Sequence, residues 1–205
     1  MLSRLKIIID VLFALLIFTL FQFLPKPDID NFDASSIYKA FSESATNFSV
    51  IGIGIALILI YWAQNNLVIN NLTKTNNLHS TLSILSVFSL MMYLYFVRLD
   101  VEFANVTLLI RMQSITLAVS GFLNIIAWYF ATKDNLLDST KVDVEVEKEQ
   151  VYLKLLPEPI VAFISIFIAG YGSTIWTLSW LLIIPVGYLL KKYRMHLLNS
   201  ILKTK

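Results

Sequence analysis

Apolar residues in this chain come in long blocks, not in the spaced one-face pattern of a soluble core. Six blocks approach the roughly 20 residues an α-helix needs to cross a bilayer at 1.5 Å per residue. They predict helices over 5–24, 46–68, 78–97, 104–131, 155–170 and 173–190. The fifth block is the shortest and opens on Pro157-Glu158-Pro159. Proline is tolerated in a first helical turn, and Glu158 suits the positive end of the helix dipole. Only Tyr171-Gly172 divides the last two blocks, so they are expected to form a tight antiparallel pair. The fold class that follows is all-α, a single six-helix membrane domain spanning 1–205.

Of the 205 residues, 57% are hydrophobic and 15% charged. A soluble domain sits nearer 45–50% and 25%. With no cysteine, disulfides and thiolate metal sites are excluded. Two histidines, His79 and His196, are too few for a histidine cluster, and no metal or cofactor is expected. The net charge of +2 comes without a long basic run, so no nucleic-acid partner is expected. No H-E-x-x-H, Ser/His/Asp set or facing carboxylate pair is present, and the chain does not read as an enzyme. The N-terminus has the bases and apolar run of a signal peptide. The run nevertheless approaches spanning length, contains Asp10 and meets Pro25-Lys26-Pro27 without a small-residue cleavage pattern, so it reads as a retained first helix.

Orientation follows from the distribution of bases between alternate loops. Arg4, Lys6, Lys74, Lys133, Lys141, Lys148, Lys154, Lys191, Lys192, Arg194, Lys203 and Lys205 fall on one side. Lys26, Lys39 and Arg98 fall on the other, with Arg111 inside the fourth helix. Both termini are therefore expected in the cytoplasm, in a multi-pass protein of the cell membrane. The first outer loop carries Asp28, Asp30, Asp33 and Glu43, and the second Asp100 and Glu102. Such a vestibule would concentrate cations, although a solvated loop is the plainer reading. The connection over 133–154 reads as a polar cytoplasmic linker, since its Val-Asp-Val-Glu-Val-Glu run (142–147) has strand-like alternation but no strand to pair with.

Chemistry concentrates in the first block, RLKIIIDVLFALLIFTLFQFL. Asp10 lies more than a turn beyond the bases, and a carboxylate at the centre of a membrane helix costs about 2.5–3.5 kcal/mol on insertion scales. Such a group calls for a partner or a watery cavity. Lys6 can reach it at i,i+4, whereas Arg4, about 120° around the helix, is free to contact another helix. The plainer alternative makes the bases interfacial anchors and Asp10 a snorkelling acid. Val11, Leu15, Phe18 and Gln22 recur at helical spacing along one stripe of the same helix. A stripe of that kind lines a pore, faces lipid or packs in a core.

Arg4-x-x-x-Ile8-Ile9-Asp10, followed by Val-Leu-Phe-Ala-Leu, resembles the R-x-x-x-F-S-D signature of bacterial relatives of transmembrane protein 175, the endolysosomal potassium channel. Tyr61-Trp62 matches that family's aromatic pair, and the Pro159-Ile-Val-Ala-Phe opening and closely coupled last helices also fit. The resemblance implies six helices with cytoplasmic termini, assembled as a homotetramer around a pore lined by the first helix. It implies potassium or other monovalent cations as the permeating partner, without a carbonyl filter. Carried over residue by residue, Arg4, Asp10 and Trp62 form a polar network that holds the pore helix. Asn65 replaces the family's histidine, Asn66 is a neighbouring alternative, and Ile8-Ile9 replaces Phe-Ser. Leu15 falls at the apolar constriction, and Phe18 where a hydroxyl is common. A potassium-permeable channel in a bacterial inner membrane is the resulting expectation. The Phe18 replacement also fits a non-conducting scaffold protein. A secondary transporter would need paired broken helices, and Pro185 has no counterpart.

Overall fold

A computed structural model describes residues 1–22, 45–103, 106–137 and 144–203. Secondary structure there is helical, apart from one isolated bridge between Leu72 and Leu137. We label the helices α1 (Leu2–Phe21), α2 (Ala45–Asn70), α3 (Asn77–Phe103), α4 (Thr107–Lys133), α5 (Val144–Leu155), α6 (Pro157–Ile168), α7 (Ser173–Ser179) and α8 (Ile183–Lys203). Two 3₁₀ turns, Ala169–Tyr171 and Trp180–Leu182, join α6 to α7 and α7 to α8. Among the described residues, five stretches are long and apolar enough to cross a membrane: Ile51–Asn70, Asn77–Phe103, Thr107–Lys133, Lys148–Tyr171 and Ser173–Tyr193. The acidic first loop, with Asp28, Asp30, Asp33 and Glu43, lies outside the described residues, as do positions 23–24 and 104–105 of two expected spans.

Helices α3 and α4 form an antiparallel hairpin whose seam is built from serines. Ser86 Oγ donates to the Ser120 carbonyl at 3.1 Å, Ser120 Oγ donates back to the Ser86 carbonyl at 2.9 Å, and Ser89 reaches the Thr116 carbonyl at 2.8 Å. Small side chains let two backbones approach, and in lipid each such bond is worth about 0.6 kcal/mol on average. Asn76 starts α3 by accepting the backbone N–H of His79 at 2.8 Å, which satisfies one of the donors a helix N-terminus leaves open. His79 itself is buried in that first turn, its Nδ1 against the Thr75 hydroxyl at 3.0 Å.

α6 lies against α4 at Gly121, where an added Cβ would sit 2.7 Å from Pro159 Cβ. About two turns further along the bundle, Ser114 accepts from Trp176 Nε1 at 2.7 Å and from Ser165 Oγ at 2.8 Å, tying α4, α6 and α7 together. Trp128, Trp176 and Trp180 are all buried, so these three read by position as packing residues; Tyr188 is exposed. The turn at Gly172 has φ 109°, a backbone conformation open to glycine and strained for other residues.

The structure corrects the expected polar linker over 133–154. Residues 144–155 form α5, and Val151 and Leu155, four apart on one face, bury against Val68, Trp128 and Ala131. Trp128 Nε1 donates to the Lys148 carbonyl at 3.2 Å. The charges of this segment hide two apolar positions at helical spacing. The fifth apolar span thus begins at Lys148 and runs through a bend at Leu156 into α6. The prolines 157 and 159 explain the bend, since each removes an N–H that would have reached back four residues. Gln64 Nε2 from α2 ties the bend to its neighbour by donating to the Lys154 carbonyl at 3.1 Å and to the buried Glu158 carboxylate.

Four polar contacts define one end of the bundle: Lys6 to Asn70 (3.1 Å), Asn76 to Asp134 (2.6 Å), Thr73 to the Leu136 carbonyl (3.3 Å) and Gln64 to the Lys154 carbonyl. Lysines 6, 74, 133, 148 and 154 gather at this end. At the other end Arg98 pairs with Glu102 (2.8 Å) and Gln113 donates to Asp100 (3.1 Å). Those acids are thereby taken, and Arg111 makes no ion pair among the described residues.

Candidate functional site

Helix α1 has two apolar stripes. Leu5, Ile9, Phe13, Leu16 and Leu20 are at most 4% exposed and pack on α2 and α3. Val11, Leu15 and Phe18 are 52%, 54% and 61% exposed, and Gln22 continues their line at the C-terminal end. Positions 9 and 11 lie about 200° apart at 3.6 residues per turn, so the second stripe points away from the protomer's core. All four residues read as pore-lining share this outward face. Asp10 sits at its margin.

The carboxylate of Asp10 accepts from Trp62 Nε1 of α2 at 3.1 Å. This bond ties the two helices at the point where the charge enters the apolar run. Lys6 donates to Asn70 of α2 at 3.1 Å, so it serves as a second tie between the helices instead of pairing with Asp10 inside its own. Of the four residues read as a polar network, the protomer joins Asp10 and Trp62. Arg4 is exposed and has no partner among the described residues. Asn65 is 3% exposed, and its amide donates to the Tyr61 carbonyl at 3.2 Å, a bond within its own helix. The reason is rotational: Asn65 stands one turn from Tyr61 and turns inward with it, whereas Asn66 stands one turn from Trp62 and turns outward.

Between α1 and α2 the surface opens into a groove of about 830 Å³. Lys6, Asp10, Phe13 and Ala14 form one wall, with Trp62, Ala63, Asn66 and Asn70 on the other. Its lining is mainly apolar, with the Asp10–Trp62 pair set into it. Tyr61, the other half of the aromatic pair, is buried and donates to the Leu117 carbonyl at 2.7 Å, fastening α2 to α4. Gly54 provides close packing behind α1, where an added Cβ would meet Leu20 at 3.3 Å. By contrast, Gly52 has nothing within 4 Å of that position, and Ala56 is exposed. No group of three or more His, Asp or Glu side chains able to hold a metal ion occurs among the described residues.

The sequence did not point to the serine seam or to the Ser114–Ser165–Trp176 cluster. Serine spacing in α3 (83, 86, 89) was the available signal, since it places three small hydroxyls along one side of a helix.

No family model matches the sequence, and no curated protein matches it. Among solved structures, the chain is similar to a lysosomal potassium-selective channel TMEM175 homologue from Chamaesiphon minutus, with a TM-score of 0.71 and 12% identity. The match covers 94% of this chain and 97% of that one. The resemblance read from Arg4, Asp10 and Tyr61-Trp62 is thereby borne out in the fold. This chain has the fold of that TMEM175 homologue.

Proposed function

We propose that the chain is one subunit of a cation channel, potassium-permeable and passive, with four copies arranged around a pore lined by α1. The observation that carries this reading is the outward stripe Val11–Leu15–Phe18–Gln22, held on a helix whose opposite side is packed and whose rotation is pinned by the Asp10–Trp62 bond. A single protomer offers that stripe as one convex surface, so an ion path needs several copies. The groove beside Asp10 leaves room for a neighbouring copy, and Arg4 is available as a bridge to it. The similarity in fold to a potassium-selective channel supports the same reading.

In this arrangement four Leu15 side chains form the constriction, which closes by dewetting when its diameter falls. Phe18, one turn outward, narrows the same path. Gln22 places amides at the mouth, where they replace part of an ion's hydration. No step consumes a nucleotide or a proton gradient. The bases at one end of the bundle set that end in the cytoplasm by the positive-inside rule.

The test is potassium flux into liposomes holding the purified oligomer. Flux is expected without ATP or a proton gradient, and Leu15→Ala is expected to raise it several-fold. Phe18→Thr separates two failures: flux that appears only in this variant identifies a plugged pore, whereas silence in wild type and both variants, with assembly intact, rejects conduction.

A further inference from the structure

We propose that the cleft between α5 and α8 is a binding site for the headgroup of an anionic phospholipid. The cleft has a volume of about 390 Å³ and is lined by Gln150, Leu153 and Lys154 of α5 and by Gly187 and Lys191 of α8. Each helix contributes a lysine one turn beyond another lining residue, so the two ammonium groups flank the opening. Among the described residues neither is ion-paired. Glu158, the acid nearest in sequence to Lys154, is buried and accepts from Gln64 on the α2 side.

Backbone contacts hold the two walls in place. The Lys154 carbonyl is bonded to Gln64, and Gly187 lies against Pro157, with an added Cβ 3.6 Å from the proline ring. The cleft therefore sits at the bend where the fifth span leaves the headgroup layer.

The shape selects a lipid over a free anion. Leu181, in the 3₁₀ turn before α8, and Ile184 and Tyr188 of α8 are 63%, 73% and 66% exposed and follow one another at intervals of three and four residues. Lys191 is the next position on that same stripe. An apolar track ending in two cations matches an acyl chain ending in a phosphate. Each lysine near an anionic headgroup contributes about 1 kcal/mol, which corresponds to about fivefold in affinity, or about 30-fold for two.

The experiment compares association of spin-labelled phosphatidylglycerol and phosphatidylcholine with the full-length protein in phosphatidylcholine bilayers. Wild type is expected to favour phosphatidylglycerol, and K154Q/K191Q to weaken that preference by about 30-fold. Lys133→Gln, at the same end but outside the cleft, is expected to retain the preference. Circular dichroism and a monodisperse elution profile establish that the double variant is folded. Equal preference in wild type and the folded double variant overturns the proposal. So does displacement of the lipid by 10 mM inorganic phosphate, which would make the cleft a site for free phosphate. If the double variant does not fold, the single variants carry the test, each expected to lose about fivefold, and unchanged preference in both overturns the proposal.

Discussion

The Ser114 hydroxyl donates to the Ile110 carbonyl of its own helix at 3.2 Å and accepts two hydrogen bonds, both from other helices. Ser165 keeps a second acceptor in the Ala162 carbonyl at 2.8 Å, but Trp176 Nε1 has no other acceptor among the described residues once the serine is cut to alanine. Hydrogen bonds between membrane helices average about 0.6 kcal/mol with a maximum near 1.7. A buried donor left unpaired belongs at the upper end of that range, so Ser114→Ala is expected to destabilise by about 1–2 kcal/mol. Thermal unfolding in detergent measures it, and an unchanged midpoint would remove this cluster from the account of stability. At the same scale the Asp10–Trp62 bond does different work. It leaves both side chains partly accessible and fixes which way α1 is turned.

Between elements, α4 passes close to α6 at Gly121. Gly121→Ala places a methyl 2.7 Å from the Pro159 ring, and the proline cannot rotate away. Overpacking of this kind costs typically about 1–3 kcal/mol. Gly52→Ala is the matched control, because its added methyl meets nothing within 4 Å and alanine is the better helix former by about 1 kcal/mol. The expected result is a lowered unfolding midpoint for the first variant and an unchanged or raised one for the second. Equal effects would show that helix propensity, not the crossing, governs both. The bend between α5 and α6 is likewise local: prolines open the backbone ladder, and an α2 side chain holds the bent segment at the Lys154 carbonyl.

For the whole molecule the question is what covers the free face of α1. The chain has no cysteine, so single cysteines report contacts between copies without background. If α1 faces a symmetry axis, Leu15→Cys is expected to form an intermolecular disulfide in membranes under mild oxidation, because equivalent positions then approach bridging distance. Ile184→Cys on α8, 73% exposed, is expected to stay largely monomeric. Efficient linkage through position 184 with none through 15 would place α8 at the axis and α1 in lipid, and the pore proposal would fail.

Much of this was legible in the linear chain because burial in lipid demands length and hydropathy, and both are properties of consecutive residues. The blocks over 46–68 and 78–97 fall within helices that extend a few residues further, and that over 104–131 matches a helix that begins at Thr107 and ends at Lys133. The charge inside the first block and the Tyr61-Trp62 pair were equally visible, and they marked the fold before any contact was known. Other decisions belonged to the tertiary structure. Asn65 turns toward the core and Asn66 away from it, a difference of 100° that spacing alone does not orient. Residues 144–155 become a helix because Val151 and Leu155 find Trp128 there, although their own composition is polar. The serine seam, the cap on Lys154 and the lysine pair facing across α5 and α8 join residues far apart in the chain. Hydropathy records how much each residue avoids water, but which residue it meets is set by helix packing, and only the folded chain supplies that.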